Sequence, residues 1–299
     1  MDDAVRLRLT ARFGADVAAW FDDLPDVLRS VARRWGLELT GSIPRGSVSV
    51  VLRCRTSDGR PAVLKVSPDV TRIASEATCL SGWATAHTPT VLAVDEGVGA
   101  LLLEAIEPGS PLDVTARYPP ADCVVELLRS LHDAGVPRPT YPTVAQRIAY
   151  LFDSSARLYD RKPQLAAVVS PELYQRGRHL ATRLAQNAGA VVLLHGDLTP
   201  SNILDGGDRR GLVAIDPAPC LGDPAFDAVD LVMWQADDVD IVGARAEQLA
   251  SALDFETNRL LAWCTAFAGM TALELAASPG SAPERVAAAV TLAETAFTT

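Results

Sequence analysis

Between positions 190 and 216 the chain interrupts a long helical tract with a strand, a polar loop and a hairpin. That interruption limits the folds open to it more than any other feature. Val191-Val-Leu-Leu is an apolar run closed by polar residues, the mark of a buried strand. It delivers His195 and Asp197 into a loop, and Asn202 opens a hairpin whose return strand, Leu212-Val-Ala-Ile, ends at Asp216. Antiparallel pairing about a turn centred on position 209, inside the polar Asp205 to Arg210 stretch, sets Asn202 opposite Asp216. An amide oxygen facing a carboxylate is a ligand pair for a hard cation, and Mg²⁺ takes such a pair while keeping waters and phosphates as its other ligands. Asp197, five residues before Asn202, is within reach of an attacking hydroxyl.

The rest of the chain reads as α+β. Asp16 to Trp35 carries apolar residues at helical spacing, with Pro25 predicting a break into two short helices. From Leu37 to Val66 the pattern turns to short β-rich runs. Two of them are joined by Ser57-Asp-Gly-Arg, a hairpin turn with Asp-Gly at its tip. A helix near Thr71 to Trp83 and strands near Thr90 to Asp95 and Ala100 to Glu104 follow; the strand pattern stops at Glu107-Pro-Gly-Ser-Pro. From Ala121 onward helix predominates. The expected organisation is two lobes: residues 1–104 as a small β-rich N-lobe with a helical N-terminal cap, 105–109 as a linker, and 110–299 as a larger, mostly helical C-lobe.

Composition narrows the partners. The 299 residues carry 27 basic against 37 acidic side chains, a net −10 that repels phosphate backbones, so no nucleic-acid partner is expected. Five scattered cysteines without a Cys-x-x-Cys pair suggest reduced thiols, and the N-terminus lacks signal-peptide features; both point to the cytoplasm. The apolar stretch Leu260 to Leu273 stops at Glu274, too short for a bilayer that needs roughly 20 residues, and is read as a buried core helix with no membrane role. Only two of the basic residues are lysine, Lys65 and Lys162. Lys65 lies in an apolar strand, where an unpaired ammonium is expensive, so it requires an anionic partner.

The order His195-x-Asp197-x-x-x-x-Asn202, then Asp216, is the spacing of a kinase catalytic loop and metal aspartate. The segment resembles the aminoglycoside phosphotransferases, which share the protein-kinase fold. The closest resemblance is to the streptomycin 6-phosphotransferase and hydroxyurea phosphotransferase branch. Four stretches carry it: Trp20 to Trp35, Ala62-Val-Leu-Lys65, Leu101-Leu-Leu-Glu104, and Ala214-Ile-Asp216-Pro-Ala-Pro-Cys-Leu-Gly222-Asp223-Pro-Ala-Phe-Asp227. The resemblance implies a bilobal protein-kinase-like fold and ATP-dependent, Mg²⁺-assisted transfer to a small-molecule hydroxyl, with GTP open as an alternative donor. It implies Asp197 as the catalytic residue and Asn202 and Asp216 as metal ligands. It also implies that Lys65 grips the nucleotide phosphates, paired with Glu76, and that Gly46 and Ser47 in Gly41-Ser-Ile-Pro-Arg-Gly46-Ser47 cover them. Backbone groups of Glu104 and Ile106 then receive the base. Asp227 is expected to accept hydrogen bonds from the loop backbone, and Asp223 to cap the next helix. No Walker A motif is present, which excludes a P-loop kinase.

Ten residues separate Asp216 from Asp227, leaving no room for the long activation segment that binds peptides in protein kinases, so a small acceptor is expected. Between Gly211 and Asn258 ten acidic residues stand against one basic. Asp230, Asp237, Asp238 and Asp240 flank Trp234, a group suited to a guanidinium or ammonium ligand or, equally, to a solvated helix face. Three readings follow: phosphorylation of streptomycin at its 6-hydroxyl, phosphorylation of hydroxyurea or another small alcohol or amine, and a nucleotide-binding pseudokinase. The intact Lys65, Asp197, Asn202 and Asp216 argue against the last.

Overall fold

Helix α1 (Asp3–Phe13) and helix α2 (Val17–Trp35) open the chain, in a computed structural model that describes residues 3–46, 48–115 and 117–295. Pro25 does not split α2, against the expected break. Val17, Phe21, Leu24 and Val31 are all buried on one side of the helix. Burial of a large apolar side chain contributes roughly 1.5–3 kcal/mol, so the four together outweigh the roughly 3 kcal/mol cost of an interior proline. Helix α1, with only Val5 and Leu9 buried, was too sparsely patterned to be expected.

Strands β1 (Glu38–Ile43), β2 (Val50–Arg55) and β3 (Pro61–Val66) follow, then α3 (Val70–Trp83), β4 (Val91–Asp95) and β5 (Ala100–Glu104). They form one antiparallel sheet in the order β1-β2-β3-β5-β4. The Asp58-Gly59 turn forms as expected, with the Thr56 amide donating to the Arg60 carbonyl at 2.9 Å. Alternation then sorts the side chains. Val50, Cys54, Ala62, Leu64, Val66, Ala100 and Leu102 pack with α1 and α2 in one core, while Lys65, between Leu64 and Val66, belongs to the opposite face.

The remaining elements are α4 (Ala121–Ala134), α5 (Val144–Arg161), α6 (Pro171–Gln186), β6 (Val192–Leu194), β7 (Ile203–Asp205), the one-turn helix α7 (Gly207–Arg210), β8 (Leu212–Ala214), β9 (Cys220–Gly222), α8 (Ala225–Met233), α9 (Val239–Leu253), α10 (Thr257–Ala277) and α11 (Pro283–Glu294). The expected hairpin forms as the ladder β7-β8, its turn wound into α7, but it is shorter than expected: Asn202 ends a 3-10 turn just before β7 and Asp216 lies beyond β8, so neither is part of the ladder. A second ladder pairs β6 with β9, Leu194 opposite Cys220.

By internal contacts the chain divides into Met1–Gly109 with Asp205–Ile215, and Ser110–Leu204 with Asp216–Thr299. The segment 205–215 is tied into the first unit by side chains. Arg210 donates to the carbonyls of Ala86 and Thr88 and to the Glu104 carboxylate, and His87 Nδ1 lies 2.7 Å from the Leu212 carbonyl.

In the second unit α10 is the central helix. At 21 residues it is longer than the apolar stretch suggested, long and apolar enough by length and composition to cross a bilayer, which corrects the expectation that it is too short. It is nevertheless a core helix. Trp263, Cys264, Ala266, Phe267 and Ala268 are all buried, and Phe267 meets Phe152 and Phe226 at ring distances of 5.4 and 5.6 Å. All five cysteines are free.

Candidate active site

Strand β6 ends at the fully buried Leu194, the equally buried His195 follows, and the chain then turns sharply at Gly196, whose φ is +75°. A Cβ there would sit 2.1 Å from the Ala218 carbonyl oxygen, so the His-Gly-Asp order is dictated by backbone contact. Asp227, in the first turn of α8, holds the turn from behind. It accepts the His195 amide at 2.8 Å and the Gly196 amide at 2.9 Å, as expected, and His132 Nε2 stands 3.3 Å from it. Burial works against its charge, but the hydrogen bond and charge of His132, the charge of His195 and the Gly196 amide hold its carboxyl below the usual range. The His195 ring is spent on the loop, its Nδ1 lying 3.3 Å from the Asp197 amide.

Asp197 is gripped from two sides. Asn202 Nδ2 donates to its backbone carbonyl at 2.9 Å and to Oδ2 at 3.1 Å. Arg147 donates from Nη2 to Oδ1 at 2.8 Å and from Nε to the Gly196 carbonyl at 2.7 Å. The Asp197 side chain remains 30% exposed, enough to receive a ligand. With the Asn202 nitrogen committed to Asp197, its carbonyl oxygen is the part that could take a cation. Asp216, the other expected ligand, adopts a left-handed φ of +57°, an uncommon conformation for a residue other than glycine that clusters at functional sites. An amide oxygen and a carboxylate suit Mg²⁺, which keeps several waters. Among the described residues no group of three or more His, Cys, Asp or Glu side chains forms a dedicated metal cage.

In the first unit Lys65 and Glu76 form the expected pair, Nζ to Oε1 at 2.6 Å, with side chains only 5% and 2% exposed. Glu104 uses its carboxylate structurally, accepting the Thr90 amide at 3.0 Å and Arg210 Nη1 at 2.5 Å, and its own amide donates to the Thr90 carbonyl at 3.0 Å, so its carbonyl is the part to which a base could pair. Ile106 is half-buried. Gly46 has a φ of +111° and accepts a hydrogen bond from Arg8; Ser47 lies outside the described residues.

Residues 34–278 match the model of the aminoglycoside/hydroxyurea antibiotic resistance kinase family. The chain belongs to that family. It is 28% identical over 263 residues to a streptomycin 6-kinase of Streptomyces glaucescens, covering 84% of this chain and 82% of that protein. A hydroxyurea phosphotransferase of Kitasatospora aureofaciens is likewise 28% identical, over 84% of this chain and 72% of its own length. A solved choline/ethanolamine kinase family protein from Mesorhizobium loti superposes with a TM-score of 0.57 at 20% identity, covering 87% of this chain and 88% of that one. The kinase therefore has the protein-kinase-like fold, and its family acts on small molecules.

The acidic residues of this kinase are less uniform than their clustering in sequence suggests. Asp238 caps α9 by accepting the Asp240 amide, and Asp237 is exposed. Trp234 lies 6.0 Å from Tyr118, and its carbonyl accepts Arg245 Nη1. Asp223 is not the cap residue of α8, which is Pro224, but stands just before it, accepting the Ala225 amide, Trp263 Nε1 at 2.7 Å and Arg259 Nε and so bracing α8 against α10. Asp230 differs from all of these. Solvent reaches it, but the protein crowds it. That crowding and the charges of Asp197, Glu274 and Asp227, opposed by Arg147, push its carboxyl up to about 7. Glu274 is raised as well, by crowding and by Asp197.

Sequence reasoning missed Arg147 and Glu274. Glu274 had a signal, a carboxylate ending an apolar run. Arg147 had only its place in the first turns of a helix.

Proposed function

We propose that this kinase transfers the γ-phosphoryl group of ATP to a hydroxyl of a small cationic acceptor, with the 6-hydroxyl of streptomycin as the leading candidate. The observation that carries the reading is the setting of Asp197, a partly exposed carboxylate held by Arg147 and Asn202 and close enough to Asp230 and Glu274 to raise both. In this reading the acceptor O–H hydrogen-bonds to Asp197. The hydroxyl oxygen bonds to the γ-phosphorus as the bond from that phosphorus to the β–γ bridging oxygen breaks, the proton passes to Asp197, and ADP leaves. Lys65, kept in place by Glu76, grips the α- and β-phosphates; Gly46 and Ser47 cover them, and the backbone of Glu104 and Ile106 receives the base. Asn202 and Asp216 would hold Mg²⁺, which when bound neutralises charge on the phosphates. Hydroxyurea is the second reading, favoured by a relative of that activity at the same 28% identity.

A coupled assay of ADP release with streptomycin and with hydroxyurea, run with ATP and with GTP, decides between them. Streptomycin turnover whose KM rises with salt supports the first reading; turnover of hydroxyurea alone moves the assignment to the second. In either case Asp197→Ala is expected to lower kcat by a factor on the order of 10² to 10⁴ while ATP still binds. Retention of more than about a tenth of kcat, a loss below roughly 1.4 kcal/mol, refutes its role.

A further inference from the structure

We propose that Arg147 is a positioning residue for Asp197, fixing which part of that carboxylate faces an incoming hydroxyl. The inference rests on the reading of Asp197 given above and adds a residue to it. The planar guanidinium spans two consecutive residues, Nε on the Gly196 carbonyl and Nη2 on Asp197 Oδ1, so it ties the carboxylate to its own backbone. Asn202 does the same from the other side, through the Asp197 carbonyl and Oδ2. Between them the two residues take one hydrogen bond on each carboxylate oxygen and leave the outward lone pairs for an acceptor.

What makes Arg147 more than an ion pair is how firmly its own backbone is referenced to the loop. Helix α5 starts at a capping box in which Thr143 and Gln146 satisfy each other's amides, so Arg147 is fixed one residue into the helix beyond it. The approach to that helix is docked on β9. The Leu221 amide donates to the Pro142 carbonyl at 2.8 Å, and Val144 packs so closely on Gly222 that a Cβ there would come within 2.4 Å of it. Strand β9 pairs with β6, and β6 runs directly into His195 and Gly196. The path from the Arg147 backbone to the loop is thus closed at both ends by the same small ladder. At 11% exposure its side chain is shielded from the solvent screening that makes surface ion pairs weak.

The test uses Arg147→Ala and Arg147→Lys in the full chain, with MgATP and with streptomycin and hydroxyurea as acceptor probes. A reacting carboxylate misplaced by about 1 Å can lose on the order of 100-fold in rate, so Arg147→Ala is expected to lower kcat by about that factor. The KM for ATP and the melting temperature stay near wild type. Arg147→Lys is expected to recover about a tenth to a third of the lost rate, because a single ammonium meets one oxygen at a time. Backbone amide exchange across 195–202 should speed up in Arg147→Ala while α10 stays protected. A drop in melting temperature with kcat kept within about threefold would make Arg147 merely structural and overturn the proposal. If the wild type phosphorylates neither probe, the acceptor reading fails. The exchange experiment then decides alone: faster exchange in the loop supports positioning, and unchanged exchange overturns it.

Discussion

The two units bury a carboxylate in two different ways. Glu76 in the first is answered by another side chain, the Lys65 ammonium at 2.6 Å. Asp227 in the second is answered by His132 and, beyond that side chain, by backbone, the amides of His195 and Gly196 at 2.8 and 2.9 Å. A charge answered by a side chain can be removed together with its partner. A charge answered by the main chain cannot, because the amides stay behind and need an acceptor. On the proposed reading the first arrangement holds a charge in place for a ligand; the second holds a loop in shape.

The comparison breaks most visibly at Asp227. Asp227→Ala leaves two buried amides without an acceptor, and urea titration should show a loss of roughly 3–5 kcal/mol that replacing His132 by leucine does not restore. Recovery in that double variant would mean that the histidine, and not the backbone, is the partner that matters. Acid adds a second check. A carboxyl held below its ordinary value near 4 contributes stability that is present above that value and lost as the pH falls through its folded one, so Asp227→Asn should flatten the acid limb of the stability curve.

The first unit should behave otherwise. Lys65→Met alone is expected to lose about 3 kcal/mol, because Glu76 is left buried without its cation, whereas Lys65→Met with Glu76→Leu should return to within roughly 1 kcal/mol of wild type while nucleotide binding stays lost. A double variant as unstable as the single one would erase the distinction between the units.

The smallest effect belongs to Asp230. Its carboxyl is raised to about 7, the opposite sign to Asp227, so the folded state holds a proton that the unfolded chain releases near pH 4. Stability therefore falls as pH rises from about 4 through about 7, and Asp230→Asn should remove that slope. If Asp230 also meets a cationic acceptor, KM for streptomycin should fall a few-fold as pH rises through about 7 in wild type and stay level in the variant. A level profile in both would leave Asp230 without a part in acceptor binding.

How much of this could be read from the sequence follows the same division. Lys65 stood out because a lysine in an apolar strand demands an anion, and alternation along β3 set it on the face opposite the core. The loop was legible because strand, glycine and aspartate occur in one short run. Pro25 misled because a local rule was outweighed by four buried side chains on α2. Arg147 could not be found by spacing at all. It lies fifty residues before Asp197 in a helix whose start looks ordinary, and only the docking of that start against β9 gives it an address. Glu104 was half legible: its side chain serves Arg210, a partner 106 residues away.

The membership of Asp205–Ile215 in the first unit has a consequence in time. A ribosome adding about 5–20 residues per second finishes Met1–Gly109 and must then synthesise all of Ser110–Leu204 before the missing segment emerges, a delay of about 5–20 s. Through that interval the carbonyls of Ala86 and Thr88 and the carboxylate of Glu104 await Arg210, and His87 awaits Leu212. Every nascent copy thus passes through a stage in which its N-terminal sheet is made but its last clamp is still being translated. A chain stalled before residue 205 would present that face, still lacking Arg210 and Leu212, to chaperones and proteases.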